Sequence, residues 1–107
     1  MESTETESKD RLFVTALARG LAVLAAFRSG EPQLSNQDLA SRTGLPKSTV
    51  SRLTYTLTQL GYLDQDASSG RYELGLAVLE LSAAALAGFD ARRLIAPRMQ
   101  QFAETHG

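Results

Sequence analysis

Apolar side chains recur at helical spacing over several stretches of this 107-residue chain, and two short strand-like runs lie between the third and fourth of them. From Thr15 to about Arg28, TALARGLAVLAAFR places Leu17, Leu21, Leu24 and Phe27 near one side and predicts a first amphipathic helix despite Gly20. Ser29-Gly30-Glu31-Pro32 breaks it. Ser35 with Asp38 three residues later is a carboxylate variant of the capping box, and Leu34 with Leu39 occupies the N′ and N4 positions of a hydrophobic staple, so a second helix starts near Asn36. Thr43-Gly44-Leu45 stops it, because Gly44 can take positive φ without a Cβ clash and Leu45 can fold back onto the helix.

The third stretch carries two faces. Val50, Leu53, Leu57 and Leu60 recur at i, i+3, i+7 and i+10, while Ser48, Ser51, Arg52 and Tyr55 fall on the opposite side. Pro46 suits the first helical position and Gly61 a left-handed ending, so this helix runs roughly from Pro46 to Leu60. Two helices joined by so short a turn sit at a large angle, the layout of a helix-turn-helix. Tyr62 to Gln65 and Arg71 to Leu74 then flank Asp66-Ala67-Ser68-Ser69-Gly70, a loop of turn formers, and predict a β-hairpin. The expected fold is mainly α with a small β-hairpin: a winged helix-turn-helix followed by a linker helix.

That linker is LAVLELSAAALAGF, opened by Gly75-Leu76. Leu76, Leu79, Ala83 and Leu86 lie along one side and Val78, Leu81, Ala85 and Phe89 along another, an apolar surface too wide for one small core. A second partner surface is implied. Asp90 can cap a further helix, ARRLIA, and Pro97 can begin another, PRMQQFAETHG. The expected division is a disordered acidic tail over 1–11, the winged module over 12–75, linker and dimerisation helices over 76–96, and the start of a further domain, cut short, over 97–107.

Composition narrows the chemistry. Apolar residues make up 43% of the chain, without a run long enough to span a bilayer, and the acidic, polar N-terminus is not a secretory signal. No cysteine is present, which excludes disulfides and thiolate zinc sites and suits a reducing, cytoplasmic setting. The net charge of −1 divides unevenly: −3 over residues 1–10, +2 over 11–75 and zero over 76–107. A nucleic-acid reading therefore rests on where the cations lie rather than on their number. There are no paired carboxylates, Cys/His cluster, nucleophile elbow or phosphate-binding glycine loop, and the single histidine, His106, is at the end. No catalytic residue, metal site or cofactor is expected, and the chain does not read as an enzyme.

Hydroxyls with one Arg on the second helix of a helix-turn-helix, followed by a wing, point to duplex DNA. Arg52 can donate two hydrogen bonds to guanine O6 and N7, while Ser48, Ser51 and Tyr55 can reach a base edge or a phosphate. Lys47, beside the amides at the positive end of the helix dipole, favours phosphate, and Pro46 and Thr49 are placed for sugar or a thymine methyl. Ser35, Asn36 and Gln37 at the start of the preceding helix form a candidate phosphate clamp. Arg71 at the base of the hairpin, with Ser68 and Ser69 at its tip, can lie along the backbone or minor groove.

The runs ALARGLAVLAAF, LSNQDLASRTGLPKSTVSRLTYTLTQLGYL and GRYELGLAVLEL together resemble the DNA-binding half of IclR-type bacterial transcription regulators, the isocitrate lyase regulator family. The resemblance covers about Val14 to the end, with GLPKSTVSRL and GYL its most distinctive parts. It implies a winged helix-turn-helix, a linker helix and a C-terminal domain that senses a small-molecule effector. On this reading that domain is missing, and residues 97–107 are its opening helix. The resemblance further implies pairing through the first helix and the linker into a homodimer or higher oligomer on DNA, and it places Arg19 near phosphate. A two-fold protein calls for a near-palindromic operator.

A competing reading is a winged-helix module used only for protein interaction or oligomerisation, with residues 76–89 as its working surface. Exposed apolar or acidic residues over Pro46 to Leu60 would favour it; Lys47, Ser48, Ser51 and Arg52 stand there instead.

Overall fold

The computed structural model describes residues 9–89. After a helical turn at residues 9–12, three helices follow: α1 (Thr15–Ala25), α2 (Asn36–Thr43) and α3 (Lys47–Gln59). An antiparallel hairpin, β1 (Leu63–Gln65) and β2 (Tyr72–Leu74), leads into α4 (Leu76–Ala87). This is the expected winged helix-turn-helix with a linker helix. The helices expected from Asp90 and Pro97, the end with His106, and residues 1–8 of the acidic tail lie outside the described residues.

Local signals set the ends of α2. Ser35 Oγ accepts from the Asp38 amide and the Asp38 carboxylate accepts from the Ser35 amide, both at 3.0 Å, so the capping box is complete. Hydrogen bonding from the Ser35 amide, and then from the Ser35 hydroxyl, holds the Asp38 carboxyl below its ordinary range. Gly44 ends the helix at φ 74°, its amide donating to the Ala40 carbonyl. At α3 the expected boundary moves by one residue at each end. Pro46 is the N-cap rather than the first helical residue, with extended ψ of 147° and its carbonyl accepting from the Val50 amide; Leu60 is the C-cap, and Gly61 follows at φ 86°.

The core gathers Val23, Ala26, Leu34, Leu39, Val50 and Leu63, with Leu24, Phe27, Leu45, Leu53, Leu57 and Tyr72 packed around it. Two expectations about its composition are corrected. On α1 the buried line is Gly20, Val23, Leu24 and Phe27, at i, i+3, i+4 and i+7, whereas Leu17 and Leu21 stay 62% and 56% exposed. Gly20 faces α3, where a Cβ would stand 4.0 Å from Leu53 Cδ2 in ordinary contact, so the buried line runs through Gly20 and Val23 rather than through Leu17 and Leu21. On α3 the expected apolar line reaches too far: Leu60 is 62% exposed, while Thr54 is fully buried. Thr54 Oγ1 donates to the Val50 carbonyl at 2.9 Å, so its polar atom is satisfied inside the helix and the rest packs as a valine would.

The hairpin has a third edge that sequence reasoning missed. Leu34 and Tyr72 exchange backbone hydrogen bonds of 2.9 and 2.8 Å, stitching the segment before α2 to β2. At the other end, α4 starts against the exit of α3: the Ala77 amide donates to the Gly61 carbonyl at 3.0 Å and the Gly75 amide to the Tyr62 carbonyl at 2.9 Å. A Cβ on Gly75 would stand 2.3 Å from the Gly61 carbonyl oxygen, so close approach, not φ, demands glycine here. Beyond that joint α4 is apolar apart from Glu80 and Ser82 and has no fully buried residue, with Leu76, Leu79, Leu81 and Leu86 all exposed.

Candidate nucleic-acid interface

The buried side chains Val50 and Thr54 fix which way α3 faces. Lys47, Ser48, Ser51, Arg52 and Tyr55 then lie on its exposed side, Tyr55 at 68%, with Pro46 exposed beside them and Thr49 half-buried at the margin. The sequence-derived face is therefore assembled as one surface. No side chain caps the start of α3, and Pro46 brings no N–H, so the amides of the first turn remain free for an anion.

The start of α2 is a different environment. The Ser35 hydroxyl is spent on the Asp38 amide, and the Asp38 carboxylate puts negative charge at that helix end. Asn36 is half-buried and turned inward: Nδ2 donates to the Lys47 carbonyl at 3.4 Å, and Oδ1 is buried without a hydrogen-bond partner. Of the three expected clamp residues only Gln37 is exposed.

Arg19 of α1 and Arg52 of α3 lie along one groove between these helices. Both line a groove of about 510 Å³ whose walls include Leu17, Leu21, Leu57 and Leu60. Arg19 thus shares a groove with Arg52, which its sequence position alone did not reveal.

The wing is held by Asp66, a residue not singled out from sequence although its place at the head of a turn-forming loop was the available signal. Its Oδ1 accepts from the Ser68 amide at 2.8 Å and from Ser68 Oγ at 2.7 Å, and Oδ2 accepts from Gln33 Nε2 at 3.3 Å. These bonds lower its pKa from an ordinary 3.8 to about 2. Ser69 Oγ accepts from the Arg71 amide at 3.2 Å, and Gly70 turns the chain at φ 74°. Ser68, Ser69 and Arg71 are all exposed on this fixed turn. A second fixture lies behind α2: Arg42 donates to the Ala26 carbonyl at 3.0 Å and pairs with Glu31, depressing the Glu31 carboxyl and tying the C-terminal ends of α1 and α2 together.

Among the described residues no cluster of His, Asp and Glu could hold a metal ion, and no helix is long and apolar enough to cross a membrane.

Residues 16–67 match the IclR helix-turn-helix domain. The chain is 39% identical over 111 aligned residues to the HTH-type transcriptional regulator TsaQ1/TsaQ2 of Comamonas testosteroni, covering 98% of this chain and 40% of that protein. It is 35% identical to the transcriptional regulator KipR of Bacillus subtilis, covering 79% of this chain and 33% of that one. Among solved structures, an IclR family transcriptional regulator from Brucella abortus superposes with a TM-score of 0.72 at 53% identity, over 92% of this chain and 38% of that chain. Pseudomonas aeruginosa HmgR gives 0.67 at 34% identity, over 75% and 33%. The chain thus spans two fifths or less of the length of these relatives. Through its helix-turn-helix domain the chain belongs to the IclR family of transcriptional regulators.

Proposed function

We propose that this chain is the reading head of a ligand-responsive transcriptional regulator, binding a near-palindromic site in double-stranded DNA as a homodimer or higher oligomer. The observation that carries the reading is the exposed face of α3: hydroxyls and two cations on a helix with an open N-terminus, backed by a core that leaves this face outward. Arg52 reads a base by a bidentate contact. Ser48, Ser51 and Tyr55 reach base edge or phosphate, Pro46 and Thr49 the sugar or a thymine methyl. Lys47, Gln37 and the first amides of α3 hold phosphate, Arg19 flanks them, and Ser68, Ser69 and Arg71 lay the wing along the backbone.

Pairing is supported by apolar surface that nothing in the described chain covers: Leu17 and Leu21 on α1, Leu60, and Leu76, Leu79, Leu81 and Leu86 on α4. A small-molecule effector would act through chain outside residues 12–75, and the work is done in the cytoplasm, where the DNA is. Selection of binding sites from random duplexes tests the proposal. A single enriched motif with two-fold symmetry is the expected result; enrichment of nothing, or equal retention of single strands, would overturn it.

A further inference from the structure

We propose that Asn36 is a positioning residue, a brace between the first turns of α2 and α3 that sets the angle at which α3 meets DNA, and that it makes no phosphate contact of its own. The inference rests on the DNA-reading proposal above and assigns a different task to a residue whose sequence position suggests a clamp.

Asn36 is the first residue of α2 and Lys47 the first of α3, and the Asn36 amide joins them across 11 positions of chain. Its other atom, Oδ1, is out of contact with solvent and without a partner. A side chain serving a phosphate would present its donor outward, as the exposed Gln37 and Lys47 on either side can. In Asn36 one amide N–H is committed to a backbone carbonyl and the acceptor is turned away from solvent, so the α2–α3 junction, not an outer ligand, orients the group. The remaining ties between α2 and α3 are the short turn through Gly44 and Leu45 and apolar contact in the Leu39–Val50 region of the core. Apolar contact holds two helices together but leaves their mutual angle soft, whereas a hydrogen bond between their first turns is directional. That angle decides whether Ser48, Ser51 and Arg52 arrive at base edges together. A brace has a distinct signature, because no ion is released or bound when it is cut.

The test compares Asn36→Ala with Lys47→Ala on a selected duplex and a scrambled one across a salt series. Asn36→Ala is expected to keep its folding transition, to lose roughly fivefold to tenfold on the selected duplex, as for one net hydrogen bond, and to lose less than about twofold on the scrambled duplex. Its salt slope stays that of the parent chain, while Lys47→Ala lowers the slope by about one on both duplexes. Asn36→Gln, which keeps the amide on a longer stem, should recover part of the lost discrimination. An Asn36→Ala protein with a slope reduced by about one and equal losses on both duplexes would make Asn36 a phosphate ligand and overturn the proposal; so would an unchanged discrimination ratio. A second readout needs no DNA. Backbone amide resonances of Lys47 to Ser51 should move in Asn36→Ala while those of the wing do not, and an unmoved first turn of α3 would refute the brace even if the DNA-reading proposal had failed separately.

Discussion

On the proposed function, Arg52 and Lys47 of α3 separate reading from holding. Arg52 projects from the middle of the exposed face, and its replacement by Ala should cost about 1–3 kcal/mol and relax preference at one base pair per half-site. Lys47→Ala should weaken all duplexes alike and lower the salt slope by about one, so titrations on cognate and scrambled DNA distinguish the two. Gly44 is a folding residue by contrast. At φ 74° a side chain is strained even though open space surrounds the position, and a β-branched one is strained most. Gly44→Val should destabilise the fold by at least about 1–2 kcal/mol, lowering the melting temperature by several degrees; an unchanged melt would contradict the geometry. Such positions were legible in the sequence because the signal is local: Ser35, Asp38 and Gly44 each act within four residues. Asn36 was not, since its partner is eleven residues away and only the folded turn brings them together.

Among the elements, α1 and the wing show what periodicity misses. A stripe drawn through leucines put Leu17 and Leu21 inward, but the position that faces α3 is Gly20, which a search for large apolar side chains passes over. Thr54 escaped for the opposite reason, a polar residue made apolar in effect by a bond to its own helix. The wing's loop was legible as turn formers, yet the Leu34–Tyr72 pairing and the Gln33 contact with Asp66 depend on chain separated by more than thirty residues. Asp66 also gives the wing an acid response. Its folded pKa of about 2 lies below the ordinary 3.8, so its contribution is complete above the ordinary value and is lost as pH falls through the folded one. Asp66→Asn keeps an acceptor for the turn and removes the charge. The difference in stability between parent and variant should therefore shrink between about pH 4 and pH 2, as followed by thermal melts at each pH.

At the scale of the molecule the unspent apolar surface is the main fact. A small three-helix core covers one side of α1 and only the first turn of α4, leaving Leu17, Leu21, Leu60, Leu79 and Leu86 in water. Self-association should bury them, with the two α3 helices entering successive major grooves about 34–36 Å apart or at a multiple of that. Sedimentation with and without a selected duplex measures this directly: the expected result is two chains per site, with DNA strengthening a weak dimer, and a monomer on a single non-palindromic half-site would exclude it.

The joint at Gly61 and Gly75 has a mechanical consequence. Steric contact and a hydrogen bond fix the first turn of α4 to the residue just past the end of α3, so the two helices meet as the arms of a bell-crank. The 13 residues of α3 make an arm of about 20 Å. A swing of about 10° passed through the joint carries the far end of α3 about 3.4 Å, which is the rise of one base step along a DNA strand. A displacement of that size would carry the proposed reading helix one base step along its site.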